Sequence, residues 1–278
     1  MPSDSPSWTP WSPWDPLAPL AHPNAPAGGT GPGFCTLPGP VVGDHMCLNL
    51  PHPDSPAAIY TWLDPARTAE EHAAPNDPPV KDLNDNARRL AAVAYGESSV
   101  ANIYEEMAAI ANVLVRQQKA RGYGTVSTFI ETNKTYAFAA HDGNQRYARL
   151  MRATLKQINA DAGMKLAVKG AVNALSDNPQ DYSNGAYFWD GADIRSNYAK
   201  HAKVRRGVRM TDPKHNIYGI KDKDVPGEEF WRDKDGKPTK KSRGKWDYCY
   251  ESTAAWGGTI FWKYNDAYLK ATANKAHD

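Results

Sequence analysis

From residue 82 onward, polar and apolar positions recur with a helical period. Asn84-Asp85-Asn86 offers N-cap side chains ahead of the apolar run Ala87–Tyr95, and Gly96 is the predicted left-handed stop. A second helix is predicted from about Val100 to Arg121, because Ile103, Met107, Ile110 and Leu114 recur at spacings of four, three and four before Gly122. Shorter helices are predicted over 126–130, 146–161 and 164–176. The stretch 177–191 is turn-rich, 204–220 holds a few strand-like pieces, and 221–245 is a charged excursion containing Gly and Pro. The aromatic-rich run 248–269 is predicted to be a final helix, and no internal repeat is present.

Residues 1–80 follow another pattern. They hold 18 of the 22 prolines, each of which removes a backbone donor and blocks helix continuation. Trp8, Trp11 and Trp14, spaced by three, would line one side of a polyproline II rod, which repeats every three residues. This region is expected to be an irregular, extended arm, partly ordered against the following domain and suited to docking on a partner protein.

Composition narrows the classes. The 278 residues, 41% of them hydrophobic, suffice for a substantial core. A net charge of +2 argues against a protein that coats nucleic acid, although residues 1–80 carry −7 and the remainder +9, so the basic part favours an anionic polymer. Cys35, Cys47 and Cys249 form neither a disulfide framework nor a zinc knuckle. No basic segment followed by an apolar run opens the chain and no membrane span is predicted, so synthesis in the cytoplasm without a Sec-type signal is expected. His141-Asp142 and His215-Asn216 lack zinc-enzyme spacing, so no metal or other cofactor is predicted. Gly122-Tyr123-Gly124 and Gly257-Gly258 are not phosphate loops, and no Gly-x-Ser-x-Gly elbow occurs.

The candidate chemistry lies in carboxylates and aromatics. Glu97 falls on the short break between the first two helices, where rigid supports and partial desolvation suit a general acid. At about 100° per residue, Glu106 borders the apolar stripe of the second helix at about −60° from Ile103, whereas Glu105 points to water at about 200°. The run Tyr182-Ser183-Asn184-Gly185-Ala186-Tyr187-Phe188-Trp189-Asp190 combines aromatic platforms with amide and carboxylate groups, as a sugar-binding cleft requires. Tyr136 and Phe138 are further wall candidates. Lys200, Lys203, Arg205 and Arg206 offer charge to an anionic polymer or form a solvated face.

The run Tyr95-Gly96-Glu97, followed by Met107-Ala108-Ala109-Ile110-Ala111-Asn112-Val113-Leu114-Val115-Arg116, resembles the core of the SleB-type cell wall hydrolases. Asn178-Pro179, Asn184-Gly185-Ala186-Tyr187-Phe188-Trp189 and His215-Asn216-Ile217-Tyr218 resemble later segments of that family in the same order. The likeness is closer still to the lysozyme-type toxin domains of type VI secretion effectors, such as the C-terminal half of the TseP effectors. It spans roughly residues 85–220, with Tyr250–Trp256 as a further stretch. Ser98-Ser99-Val100-Ala101 departs from the SleB pattern, which has a Gly-Glu pair there.

The resemblance implies cleavage of peptidoglycan between N-acetylmuramic acid and N-acetylglucosamine. Glu97 would be the general acid and Glu106 the second acid, with Glu105 and Glu251 as alternatives. Tyr136, Tyr182, Asn184, Tyr187, Trp189 and Asp190 would bind glycan. It further implies an antibacterial toxin acting in the periplasm of a target cell, a cognate immunity protein, and a secretion-spike or chaperone protein as the partner of residues 1–80. The expected fold is mainly α: a lysozyme-like α+β domain over 81–222, the arm over 1–80, and a charged loop with an aromatic helical extension over 223–278. A non-catalytic peptidoglycan-binding module, motivated by Trp8, Trp11, Trp14 and by Trp256, Phe261, Trp262 and Tyr264, and a self-remodelling or phage-borne lysin are the alternatives.

Overall fold

A computed structural model describes residues 78–278; the arm expected over 1–80 lies outside the described residues up to residue 77. Helix α1 (Asp85–Glu97) starts where Asn84 Oδ1 accepts the N–H of Ala87 at 2.9 Å. It runs through Gly96, which has no left-handed backbone. What Gly96 supplies is close approach, since a Cβ there would stand 2.8 Å from Ala139 Cβ. Helix α2 (Tyr104–Ala120) follows the loop 98–103 and is closed by Gly122 at φ +76°.

Next come α3 (Val126–Thr132), a 3-10 turn (Phe138–Ala140), α4 (Gln145–Arg152), α5 (Leu155–Ala160) and α6 (Ala162–Leu175). The single helix predicted over 146–161 is broken because Thr154 caps α5: its hydroxyl accepts from Gln157 N–H while the Gln157 side chain accepts from Thr154 N–H. The chain continues through β1 (Phe188–Asp190), α7 (Asp193–Ser196), α8 (Ala202–Arg206), β2 (Val208–Arg209) and a 3-10 turn (Pro213–His215). It ends with β3 (Gly227–Arg232), β4 (Pro238–Trp246), β5 (Tyr250–Trp256), β6 (Thr259–Tyr264) and α9 (Asp266–Thr272).

Among the described residues, nine helices and six strands make a mixed α+β fold, which overturns the mainly α expectation. The largest correction is the final helix predicted over 248–269. That run is an antiparallel hairpin, with β5 and β6 joined at Gly257-Gly258 and only α9 helical behind it. Gly257 takes φ +55°, and a Gly-Gly pair between two runs rich in aromatic and β-branched residues favours a hairpin turn over a helix interior. Strand order in the main sheet is β1-β6-β5-β2, with β2 parallel to β5 and the other pairs antiparallel. This sheet draws β1 and β2 from the 81–222 range and β5 and β6 from the 223–278 range.

The strand period of two sorts β6 between two cores. Phe261 joins Leu90, Val93, Met107, Ile110, Leu114 and Leu166 in the helical core, whereas Ile260, Trp262 and Tyr264 face a second core with Ile194, Val204 and Tyr268. The helical core is built on α6 packed against α1 and α2. Small residues let the axes approach: a Cβ on Gly170 would stand 3.0 Å from Ala108 Cα. The charged excursion is a two-stranded ribbon, β3 against β4, braced by α9 through Trp246 edge-on to Tyr268 and through Gly244, whose Cβ would stand 2.9 Å from Ala271 Cβ.

Because the neighbour of Gly170 is backbone, Gly170→Leu is expected to cost about 1–3 kcal/mol. Urea unfolding of the variant beside the wild type checks this.

Candidate active site

Glu97 is the last residue of α1 and is half-buried. Its Oε1 accepts the N–H of Ala139, in the first 3-10 turn, at 2.7 Å. Burial pushes its carboxyl up to about 7; the Ala139 N–H opposes the shift and the charge of Asp142 adds to it. A carboxyl with this affinity is substantially protonated at neutral pH, the state a proton donor needs.

The loop behind Glu97 is clamped from two sides. Asn144 Nδ2 donates to Gly96 O at 3.1 Å, and Arg146 donates to Ser98 O and Ser99 O, each at 2.8 Å, and to Asn102 Oδ1 at 2.7 Å. The Arg146 guanidinium also lies 4.1 Å from the centre of the Tyr95 ring, a cation-π contact. Burial lowers the pKa of Arg146.

Glu106 is fully buried, deeper than the border position predicted from the helical wheel. Its Oε1 accepts from Ser99 N–H (3.1 Å), Gly258 N–H (3.0 Å) and Thr259 Oγ1 (2.8 Å), and its Oε2 from Ser99 Oγ (2.6 Å). Burial raises its pKa against these donors. The carboxylate therefore fastens the start of α2 to the loop after Glu97 and to the β5–β6 turn. Gly257 is required there, because a Cβ would stand 2.2 Å from Glu106 Oε2.

The six predicted glycan-binding residues divide. Tyr182 lies beside the β5–β6 turn: its carbonyl accepts from Trp256 Nε1 at 2.8 Å, its N–H donates to Asn112 Oδ1 at 3.0 Å, and its ring meets that of Tyr104 edge-on at 5.4 Å. Tyr136, Tyr187 and Trp189 gather toward the other end of α2, where Gln117 Nε2 donates to Tyr187 O, Arg121 lies over Tyr136, and Trp189 is 6.4 Å from Tyr136. Asn184 is an exposed turn residue at φ +48° whose Nδ2 donates to Thr253 O. The Asp190 side chain is buried, with Lys203 Nζ 2.8 Å from Oδ1 and His201 Nε2 at 3.3 Å. Burial raises its pKa, but the Lys203 and His201 charges overcome this and leave it below the usual range.

The alternative carboxylates lie elsewhere in function. Glu105 is half-buried, and Glu251 on β5 pairs with Lys263 at 3.1 Å and accepts from Asn265 Nδ2 at 3.1 Å. Of the basic candidates, Lys200 and Arg205 are exposed, but Arg206 is caged by the hydroxyls of Tyr250, Tyr264 and Tyr268. His215 is anchored through Nδ1 to Ser252 Oγ at 2.8 Å. The turn 181–186 is built on Asp181, which accepts from Arg116, Ser183 Oγ and Gly185 N–H.

Sequence reasoning did not single out Arg146, Ser99 or Thr259, nor place Trp256 on a strand beside Tyr182. The signal for Trp256 and Thr259 was the Gly257-Gly258 pair; nothing local marks Arg146, whose partners are more than forty residues away. In comparison with known proteins, the chain matches no family model, no curated protein and no solved structure.

Two outcomes follow. Removing the Glu106 side chain leaves several buried donors without acceptors, each costing about 1–3 kcal/mol, so Glu106→Ala is expected to lose at least ~3 kcal/mol in chemical unfolding. For Glu97 the folded-state pKa of about 7 exceeds the ordinary 4.5, so the folded protein binds that proton more tightly than the unfolded chain. The stability this confers is full below pH 4.5 and is lost as pH rises through 7. Unfolding curves at stepped pH should therefore show Glu97→Gln gaining on the wild type across that window, with the gap constant above it.

Proposed function

We propose that the chain cleaves the glycan strands of peptidoglycan at the bond between N-acetylmuramic acid and N-acetylglucosamine. The observation that carries this reading is Glu97: a half-buried carboxyl at a helix end, with its proton held to about pH 7 and its loop immobilised by Arg146 and Glu106. Glycosidic cleavage begins with a proton given to the leaving oxygen, and Glu97 supplies it. The positive character that develops at the anomeric carbon is then met by water, or by the 6-hydroxyl of the muramic acid in a transglycosylation, and the proton of that attacking hydroxyl returns to the Glu97 carboxylate. Glu106, enclosed by donors, serves as a positioning residue rather than as a nucleophile. Half-buried Tyr182 and Trp256, beside the β5–β6 turn that Glu106 ties to the loop after Glu97, supply apolar faces suited to sugar rings.

The resemblance to lysozyme-type effector domains supports a wider setting: an antibacterial toxin made in a bacterial cytoplasm, delivered by type VI secretion into a target's periplasm and restrained in the producer by an immunity protein. A docking role for residues 1–80 on the delivery apparatus belongs to the same reading. No helix among the described residues is long and apolar enough to cross a membrane.

Purified sacculi incubated with the protein should release reducing ends or anhydro-muropeptides. Loss of a positioned acid typically costs about 10²–10⁴ in rate, and Glu97→Gln should fall by that factor while keeping its fold. The wild-type rate should also decline as pH rises past about 7, because the donor has lost its proton. Equal release by the two proteins removes Glu97 from the reaction. Co-sedimentation with sacculi and no soluble fragments would point instead to a binding module that uses Tyr182 and Trp256.

A further inference from the structure

After β1 the chain folds back on itself, so that Asp190 at the strand end, Asp193 at the start of α7 and His201 before α8 converge. Their ligand-capable atoms all lie within 4.8 Å of one another. His201 Nε2 stands 3.3 Å from Asp190 Oδ1 and 3.3 Å from Asp193 Oδ2. Both separations exceed the usual N–H···O range of about 2.7–3.2 Å. They match the edge of a tetrahedron whose bonds are about 2.0–2.1 Å, an edge of about 3.3–3.4 Å, which is the Zn²⁺ geometry for imidazole and carboxylate ligands.

An independent observation points the same way. Asp190 Oδ2 has no hydrogen-bond partner, although the side chain is only 9% exposed, and His201 Nδ1 also lacks one. A carboxylate oxygen shut away from donors is costly, and a cation beside it removes the cost. In the metal-free chain Lys203 Nζ, 2.8 Å from Asp190 Oδ1, and the protonated His201 ring supply the charge beside that oxygen; on binding, the ion displaces the His201 proton to solvent and takes its place between Nε2 and the two carboxylates.

We propose that Asp190, Asp193 and His201 form a binding site for a divalent transition-metal ion of the Zn²⁺ class, with the fourth position taken by water. One imidazole and two carboxylates suit such an ion, and the ligand spacing of three and eight residues belongs to no common zinc motif, which is why the sequence shows no sign of it. The ion pins the segment 190–201 across the end of β1. The site shares no residue with Glu97 or the loop after it and is independent of the glycan-cleaving reading.

The test uses the full chain, stripped with chelator and titrated with ZnCl₂ by calorimetry beside Asp193→Asn. Asp193 is the most exposed of the three, its side chain 34% exposed, and so the most easily replaced without loss of the fold. The wild type should take up one more equivalent of Zn²⁺ than the variant, and only the wild type should show the matching rise in unfolding midpoint. Equal stoichiometry and equal midpoint shifts in the two proteins overturn the proposal. Should the variant fail to fold, X-ray absorption of the Zn²⁺-loaded wild type decides: an N/O shell containing one imidazole supports the site, and a sulfur shell or no bound metal overturns it.

Discussion

The carboxylate of Glu106 is shut away from water, and two segments beside the candidate site are arranged to satisfy it. A buried acid group is tolerable only when its oxygens are met by donors, and here the donors come from the loop after α1 and from the turn between β5 and β6. These segments are 7 and about 150 residues from Glu106 in the chain. A single side chain at the start of α2 thus couples the helical layer to the sheet. The coupling also explains a backbone requirement, since Gly257 leaves the space that Glu106 Oε2 fills.

Glu97 depends on this anchor without sharing its environment. Both acids are lifted by burial, yet Glu106 is enclosed by hydroxyl and backbone donors while Glu97 keeps one backbone partner and partial access to solvent. Two carboxylates nine residues apart are in this way assigned different work: one holds the frame, the other is left free to exchange a proton. Arg146 completes the frame by binding the carbonyls of Ser98 and Ser99, which fixes where the end of α1 points.

Legibility in the sequence followed the range of the interactions. The stripe Met107, Ile110, Leu114 and the Gly122 stop are local signals, and α2 ends where they place it, although it starts at Tyr104 rather than at about Val100, with Ile103 as its N-cap. Gly96 was legible as a special position but for the wrong reason, because its role is contact with Ala139 across forty residues rather than a backbone turn. The aromatic run after Tyr248 misleads for a related cause: Trp256, Phe261 and Trp262 fit a buried helix or a buried hairpin equally by period, and the Gly-Gly pair decides. Asp190 illustrates the limit at the site. Its place among aromatics suggested a sugar ligand, whereas Lys203 and His201, more than ten residues on, take up its charge.

The ribbon of β3 and β4 stands apart from the four-stranded sheet, and a two-stranded ribbon leaves both of its outer backbone edges unsatisfied by other strands. Such edges invite pairing with a second chain. Strand β4 and the tip before it carry Lys237, Lys240, Lys241, Arg243 and Lys245 without an intervening acid, so two β4 edges brought side by side repel. Pairing through the β4 edge is thus opposed in dilute buffer and less opposed as added salt screens that row of cations.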